Sequence, residues 1–443
     1  MITAAALRAD VLDQFRRYWP AGDGAVRRLP LVERERDGAE PLPPRLRRVA
    51  LPGWAADLDP DGGIPIPADL AGDGDWSQVD WLHAAGWYLH GLAERAHESA
   101  CGPIHSFSFR LRGWDPALWS RAWANRIALF LRRWASRLAG QAEETVCGPL
   151  PDTEIVLTHD LDAVAITLAI RAKQGAFHCF NALRALLSGR LAAVPTALAS
   201  AMRLACGRGD PGGLALLASQ VEAAGRRGRI HVYGGSGGWW RWPMDLLLDP
   251  SYQVRPGSAL GAQLTELHGR GWTIGLHPSF RAWRDPARMA AERSRVEAAT
   301  GIALTHVRNH WLRFSWQHTW MAQVTAGLTE DSTLGFNDRP GFRCGAALCY
   351  RPRDGSTLPL LLKALPLVLM DSHLYDYRPT AAPAAAINRW LDEVDAVRGE
   401  AAVLWHPHTI GRTYGWRNGL SCLLATLCRL ESARRRDGPG ASL

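Results

Sequence analysis

From residue 155 onward, short apolar runs alternate with longer segments of helical periodicity, and this alternation most constrains the fold. The apolar runs have the length of strands buried on both faces, and they lie at 155–157, 229–233, 272–276, 365–370 and 402–405. Strands that alternate with helices are typical of parallel sheets with crossover connections. The sequence therefore predicts an α/β fold, a parallel barrel rather than a helix bundle or a β-sandwich.

The N-terminal third of the chain has a different pattern and predicts a smaller α+β domain. Residues 1–75 are rich in Pro, Gly, Asp and Arg, which predicts loops and short strands. In residues 76–140, Trp and Leu recur at helical spacing, which favours two packed helices over a sugar-stacking platform. A Pro-Leu-Pro sequence ends this region. The predicted divisions are an accessory domain at 1–150, a catalytic barrel at 151–425 and an Arg-rich tail at 426–443.

Composition excludes several classes of function. The 443 residues are 47% hydrophobic and 21% charged, as in ordinary globular proteins. The net charge is +8, but the basic residues are scattered, so no nucleic-acid groove is expected. The eight cysteines lack metal-site spacing and are expected to pack as small hydrophobes. No secretory signal and no apolar run of about 18 residues is present, which predicts a cytoplasmic protein without a transmembrane segment.

The ends of the predicted strands carry the candidate site residues. Asp160 and Asp162 follow the first apolar run, and the ionisable residues after later runs are His277, Arg308, His310, Asp371, His406 and His408. A parallel barrel brings such strand ends to one mouth. Each residue alone has a structural explanation as a cap, a turn residue or a hydrogen-bonded histidine. Their coincidence at so many strand ends favours one shared site.

The aspartate pair after the first strand has a specific chemical interpretation. Asp160 and Asp162, at i and i+2 on extended chain, point to the same side, so one could hold a metal while the other takes a proton from bound water. The alternative is that either residue caps a helix beginning in the apolar run 163–166. The glycine-rich segment 234–238 lacks the Lys-Ser/Thr ending of a P-loop and is predicted to be an active-site loop.

Several of these strand ends lie in segments that resemble a known family. Residues 158–162, Thr-His-Asp-Leu-Asp, are similar to the first motif of polysaccharide deacetylases of the NodB-homology type, carbohydrate esterase family 4. Residues 274–280, Ile-Gly-Leu-His-Pro-Ser-Phe, are similar to the second motif in the form found in one bacterial branch. Further similarities to that branch follow in order at 305–312, 331–345, 366–371 and 404–408.

The resemblance implies a deformed (β/α) barrel that binds one divalent metal, usually zinc, and removes an N-acetyl group from a sugar. Asp162 and His277 would be metal ligands, and such oxygen and nitrogen donors suit zinc or a similar ion. The family's second motif has another histidine four residues after the first, but this chain has Arg281 there, which cannot ligate. His310 is the predicted third ligand, and a hydrogen-bonding role beside the substrate is its alternative.

The resemblance also implies catalytic roles. Asp160 would be the general base, and Arg343 would pair with it and keep it ionised. His406 would be the general acid that protonates the departing amine. Asp371 would orient the imidazole of His406 and hold it in the donating tautomer.

The remaining candidates concern the substrate. Arg308, Trp311 and Trp239 are predicted substrate contacts, with core packing as the alternative for the tryptophans, and His159 and His408 are further candidate ligands. The predicted function is a metal-dependent amide hydrolase that de-N-acetylates a sugar in a polysaccharide, a glycolipid precursor or a glycosylated metabolite. The alternative function is a non-catalytic carbohydrate-binding relative that has lost the metal site.

Overall fold

A computed structural model describes most of the chain. The described residues are 3–36, 39–164, 167–189, 191–207, 213–235, 248–353, 359–375, 382–411 and 419–436. Trp239, most of the glycine-rich segment and the last seven residues of the predicted tail lie outside them.

Eight parallel strands form one curled sheet. They are β3 Glu154–Asp160, β4 Arg229–Tyr233, β5 Thr273–His277, β6 His306–Val307, β7 Glu330–Asp331, β8 Lys363–Ala364, β9 Leu367–Met370 and β10 Glu400–Leu404. Their order across the sheet is β8-β7-β6-β5-β4-β3-β10-β9, and every ladder is parallel. Two further strands, β1 Leu46–Val49 and β2 Ile64–Pro67, form an antiparallel pair in the N-terminal region.

The eight-stranded sheet is a deformed barrel, because its two edges do not join through a ladder of the described residues. Instead, single backbone hydrogen bonds connect β9 to the segment after β7. The amide of Leu367 donates to Leu334 at 2.8 Å, and the amide of Gly341 donates to Val368 at 2.9 Å. The predicted α/β class and deformed (β/α) barrel are confirmed.

Helices surround the sheet and fill the N-terminal region. None of the described helices combines the length and apolarity needed to cross a membrane. The described α-helices are α1 Ala4–Gln14, α2 Gly24–Arg27, α3 Trp81–Leu89, α4 Leu92–Cys101, α5 Trp123–Ala139, α6 Glu143–Cys147, α7 Leu168–Leu187, α8 Val194–Ala205, α9 Leu214–Ala223, α10 Ala259–Gly269, α11 Pro286–Thr300, α12 Thr319–Thr325, α13 Ser372–Tyr375, α14 Pro383–Ala396, α15 Pro407–Ile410 and α16 Gly419–Arg436.

One hydrophobic core extends through the N-terminal region and the barrel. The tryptophans of the helical stripe pack into it, as Trp81 and Trp123 do, together with Trp272 and Trp405 of the barrel. Buried polar groups also cross between the two regions, since Asn125 on α5 exchanges hydrogen bonds with the backbone of residue 347. The stripe at 76–140 is therefore core packing, and the domain boundaries at 150 and 425 stay predictions.

Candidate metal and catalytic site

Four of the candidate site residues lie at the carboxyl ends of sheet strands. Asp160 ends β3 and His277 ends β5, while Asp371 directly follows β9 and His406 lies two residues after β10. The β3–β4 ladder also pairs Asp160 with His231. Because all these strands run in the same direction, the side chains meet at one edge of the barrel.

A group of three potential metal ligands lies at this edge. One ligand atom from each of Asp162, His277 and His310 lies within 4.8 Å of the others. His277 Nε2 is 2.8 Å from His310 Nδ1, and Asp162 Oδ1 is 3.2 Å from the first nitrogen and 3.4 Å from the second. These are the three residues that the sequence predicts as ligands. Their binding of a metal stays a prediction.

Hydrogen bonds on the outer side of both imidazoles determine which nitrogen atoms face inward as acceptors. His277 Nδ1 donates to the carbonyl oxygen of Arg308 at 2.7 Å, and His310 Nε2 donates to the carbonyl oxygen of Leu248 at 2.7 Å. Each ring therefore presents a lone pair to the other, as metal-binding histidines do. Asp162 Oδ1 is buried and has no hydrogen-bond partner among the described residues.

This donor set fits a divalent cation. Three lone-pair donors at such short separations repel one another unless a cation or a proton lies between them. Burial alone would raise the pKa of Asp162, but positive charge on His310 and His277, whose place a bound cation would take, holds that pKa well below its usual range, so the carboxylate is ionised. A mixed carboxylate and imidazole set suits zinc or a similar transition metal.

The candidate metal group is open on one side. The Asp162 side chain retains 28% of its solvent exposure, whereas the side chain of His277 retains 2%. Three protein donors with an accessible fourth position are typical of catalytic rather than structural zinc sites. Water or substrate would therefore approach from the side of Asp162.

Asp160 lies deeper, and its contacts are all with nitrogen groups. Its Oδ1 accepts a hydrogen bond from His231 Nδ1 at 2.9 Å and lies 3.5 Å from Arg308 Nη1, while His277 Nδ1 is 3.9 Å from its Oδ2. Burial would raise the pKa of Asp160, but the charge of Arg308 holds it well below its usual range. The carboxylate therefore stays ionised at neutral pH.

Arg343 is not the arginine beside Asp160, contrary to the pairing predicted from the sequence. Its guanidinium forms a buried ion pair with Glu94 on α4 and donates to the carbonyl oxygen of Gly335 at 2.9 Å. Glu94 is buried in the N-terminal region and requires a counter-charge, which Arg343 supplies.

Arg308 lies beside Asp160 instead. It is fully buried, so its side chain is not accessible for the substrate contact that the sequence predicts. Its Nε donates to the carbonyl oxygen of Ser332 at 3.0 Å, and its Nη1 donates to Thr158 Oγ1 at 2.6 Å. These bonds hold the guanidinium in place behind the carboxylate. Sequence reasoning also missed His231, although a histidine on the next strand of a parallel sheet could have been matched to Asp160 by register.

His406 and Asp371 form a dyad near the open side. His406 Nδ1 donates to Asp371 Oδ1 at 2.9 Å, while the His406 amide and Thr409 Oγ1 donate to Asp371 Oδ2. The Nε2 of His406 lies 3.6 Å from Asp162 Oδ2. Burial would lower the pKa of His406, but Asp371 raises it to about 10. The imidazole is therefore a proton donor at neutral pH, and its catalytic role stays a prediction.

The remaining candidates surround this group. Trp311 is exposed next to His310, and its Nε1 donates to the carbonyl oxygen of Leu248 at 3.3 Å. His159 is buried and turns its Nδ1 to the carbonyl oxygen of Trp405, away from the three potential ligands. The His408 ring lies 5.4 Å from that of His406 and is also outside the three-residue group.

A buried glutamate holds the loop that follows His277, and we expect it to make stability depend on pH. Ser279 donates to Glu292 on α11 through its amide at 2.7 Å and its hydroxyl at 2.5 Å. Burial raises the pKa of Glu292 to about 7. Between the unfolded pKa and this value the folded state retains a proton that the unfolded state has lost, so stability falls as pH rises.

At 1.36 kcal/mol per pKa unit, this loss amounts to about 3 kcal/mol. The free energy of unfolding of the wild type, relative to Glu292→Gln, should fall by about this amount between pH 4 and pH 8 and then level off. Urea unfolding of both proteins across that pH range measures the difference. A difference that is independent of pH would contradict the prediction.

Comparisons with known proteins add little to this geometry. No protein-family model matches the chain, and no curated protein matches it. A solved structure from Mycobacterium smegmatis, described as a "putative polysaccharide deacetylase", is similar to the chain with 18% sequence identity and a TM-score of 0.37. The similarity covers 65% of this chain and 87% of that one. Functional assignment therefore depends on the site itself.

Proposed function

We propose that the protein is a metal-dependent amide hydrolase that removes the acetyl group from an N-acetylated sugar. The observation that carries this proposal is the convergence of the lone pairs of Asp162, His277 and His310 beside the proton-donating His406. The choice of an acetylated sugar rests on the motif resemblance described above. The sugar would belong to a polysaccharide, a glycolipid precursor or a glycosylated metabolite, and zinc is the proposed metal.

The residues of the site divide the reaction between them. When bound, a divalent ion lowers the pKa of water and polarises an acyl carbonyl. Asp160, kept ionised by Arg308, takes the proton of the attacking water. Because Asp160 is buried, it can act only on a water that has already entered the site. His406 Nε2 then donates a proton to the departing amine, while Asp371 holds the ring in the donating orientation.

Substrate contacts are proposed on the open side of the site. The exposed ring of Trp311 offers an apolar face to a sugar next to His310. Trp239 stays a predicted contact from the sequence. Arg308 has a different proposed task, because it is fully buried and its Nε and Nη1 donate to Ser332 and Thr158 behind Asp160.

Metal content and acetate release test the proposed function together. We expect the purified protein to bind about one zinc per chain and to release acetate from N-acetylated oligosaccharides. Chelation should reduce acetate release to background, and added zinc should restore it. Sugar binding by a protein that takes up no zinc and releases no acetate would favour the non-catalytic relative instead. Failure to bind stoichiometric metal under any loading condition would rule out the proposed mechanism.

A further inference from the structure

A helical hairpin directly follows the site aspartates in the sequence. It consists of α7 and α8, which pack against each other, and we call residues 167–205 the α7–α8 hairpin. Thr167 caps α7 by accepting a hydrogen bond from the amide of Ile170, and its hydroxyl lies 2.5 Å from Ser251 Oγ.

The α7–α8 hairpin exposes an unusual amount of apolar surface. Half of the exposed large hydrophobic side chains of the described residues belong to it: Leu168, Phe177, Phe180, Leu183, Leu186, Leu187, Leu191, Leu198 and Met202. On α7, residues 177, 180, 183 and 187 recur at spacings of three, three and four, so they share one face of the helix. A contiguous apolar face of this kind marks an interaction surface.

This apolar face does not belong to the protein core. Among the described residues of the hairpin, none joins the large core cluster of the barrel. The hydrophobic side chains buried within the hairpin are mostly small, and they are Ile170, Ala182, Ala185, Ala201 and Leu204. Alanines thus form much of the contact between the two helices, while the larger leucine and phenylalanine side chains point outward.

The segment that contains the hairpin carries positive charge and no negative charge. The sequence from 163 to 209 contains no Asp or Glu, and its basic residues are Arg171, Lys173, Arg184, Arg190, Arg203 and Arg208. The net charge of this segment is thus +6, while that of the whole chain is +8. On the described part of the hairpin, Arg184 and Arg203 are exposed on the same helices as the apolar residues.

We infer that the α7–α8 hairpin docks the protein onto an anionic membrane surface. Helices that combine exposed Leu and Phe with basic residues lie in the interface, with the apolar face among acyl chains and the cations at the headgroups. Each Lys or Arg near an anionic leaflet strengthens binding. A second copy of this chain is a poorer partner, because it would bring two acid-free cationic faces together.

The position of the hairpin relates membrane docking to the candidate site. α7 begins six residues after Asp162, and Ser251, which contacts its cap, lies three residues after Leu248, whose carbonyl oxygen accepts from His310. Docking through the hairpin would therefore hold the site within about one length of α7, about 30 Å, of the lipid surface. If the proposed amide hydrolase function holds, on which this step rests, the substrate is an acetylated sugar linked to a lipid.

Vesicle cosedimentation of the full chain tests the docking surface. We expect binding to vesicles of phosphatidylcholine mixed with phosphatidylglycerol, and much weaker binding to phosphatidylcholine alone. Raising the salt from about 0.1 M to about 1 M should weaken it, because the Debye length falls from about 10 Å to about 3 Å. The double variant Phe180→Ser/Leu187→Ser should lower the partition coefficient of the protein between vesicles and solution about a hundredfold, since each side chain contributes about tenfold.

A matched control uses exposed leucines outside the hairpin. Leu138→Ser/Leu361→Ser removes side chains that are 59% and 74% exposed, compared with 58% and 79% for Phe180 and Leu187, and it should leave vesicle binding unchanged. No binding to the anionic vesicles, or equal loss in the control, would overturn the inference. Self-association in solution that only the hairpin variant abolishes would identify a second copy as the occupant and overturn it as well.

These measurements do not depend on catalysis. Vesicle binding is measured on protein with and without zinc, and no substrate is needed. Acetate release from soluble oligosaccharides should be the same for the hairpin variant and the wild type. A wild-type protein that releases acetate but does not bind the anionic vesicles would therefore contradict only the docking inference, and one that binds the vesicles but releases no acetate would contradict only the proposed function.

Discussion

Replacing either Asp162 or His277 by alanine should abolish stoichiometric zinc binding and, with it, acetate release. Each substitution removes one of three donors, and the remaining two are too few for a stable site with an open position. Changes to residues that merely orient ligands cost about 10- to 100-fold in metal affinity, so loss of a ligand itself should cost at least about 100-fold. Zinc content after dialysis and isothermal titration of the apo-protein measure this effect.

A histidine outside the group provides the control. His318→Ala changes an exposed imidazole that is not part of the three-residue group, so zinc affinity should be that of the wild type. The same measurement on His310→Ala separates the two interpretations of this residue. A ligand should behave as His277 does, whereas a hydrogen-bonding residue beside the substrate should spare zinc. Full zinc occupancy in both Asp162→Ala and His277→Ala would contradict the proposed metal centre.

The strand ends could be predicted from the sequence because they depend on local pattern. Short apolar runs indicate buried parallel strands, and parallel strands necessarily bring their carboxyl ends to one edge. This reasoning is sufficient to place Asp162, His277 and His310 together, although His310 lies three residues beyond the end of β6. No information about long-range side-chain contacts is required for it.

The partner of Asp160 could not be predicted in the same way. Which arginine reaches a carboxylate depends on how a loop packs against distant parts of the chain. Arg343 lies in a segment that packs against α4 of the N-terminal region, where the buried Glu94 binds it. Arg308, only one residue past β6, points to the adjacent interior and reaches Asp160 instead. The sequence motif contained both arginines and no feature that distinguishes their partners.

The exposed hairpin shows another limit of sequence patterns. Helical periodicity in 163–208 predicts helices, and those helices are present over the described part of this range. Periodicity does not indicate what covers the apolar positions, because a core helix and an interfacial helix have similar spacing. The available signal was the length of the stretch without Asp or Glu: other helices such as α5 also lack acidic residues, but 163–209 is the longest acid-free stretch of the chain.

Asp160→Asn should retain zinc but reduce kcat for acetate release by about 10²- to 10⁴-fold, the usual contribution of a general base. The amide has nearly the same shape as the carboxylate and cannot take a proton from water. Asp160 contacts His231 and Arg308 rather than the inward nitrogens of the metal group, so zinc binding should persist. Steady-state kinetics and zinc content on the same preparation measure both effects.

Stability must be measured alongside this variant, because Asp160 also neutralises a buried charge. Removing one partner of a buried ion pair commonly costs about 3–5 kcal/mol, and Arg308 would be left facing a neutral amide. Circular dichroism and urea unfolding show whether the protein is still folded under assay conditions. Loss of zinc from a folded Asp160→Asn protein would place Asp160 among the ligands. Wild-type kcat with zinc bound would assign the proton transfer to another group.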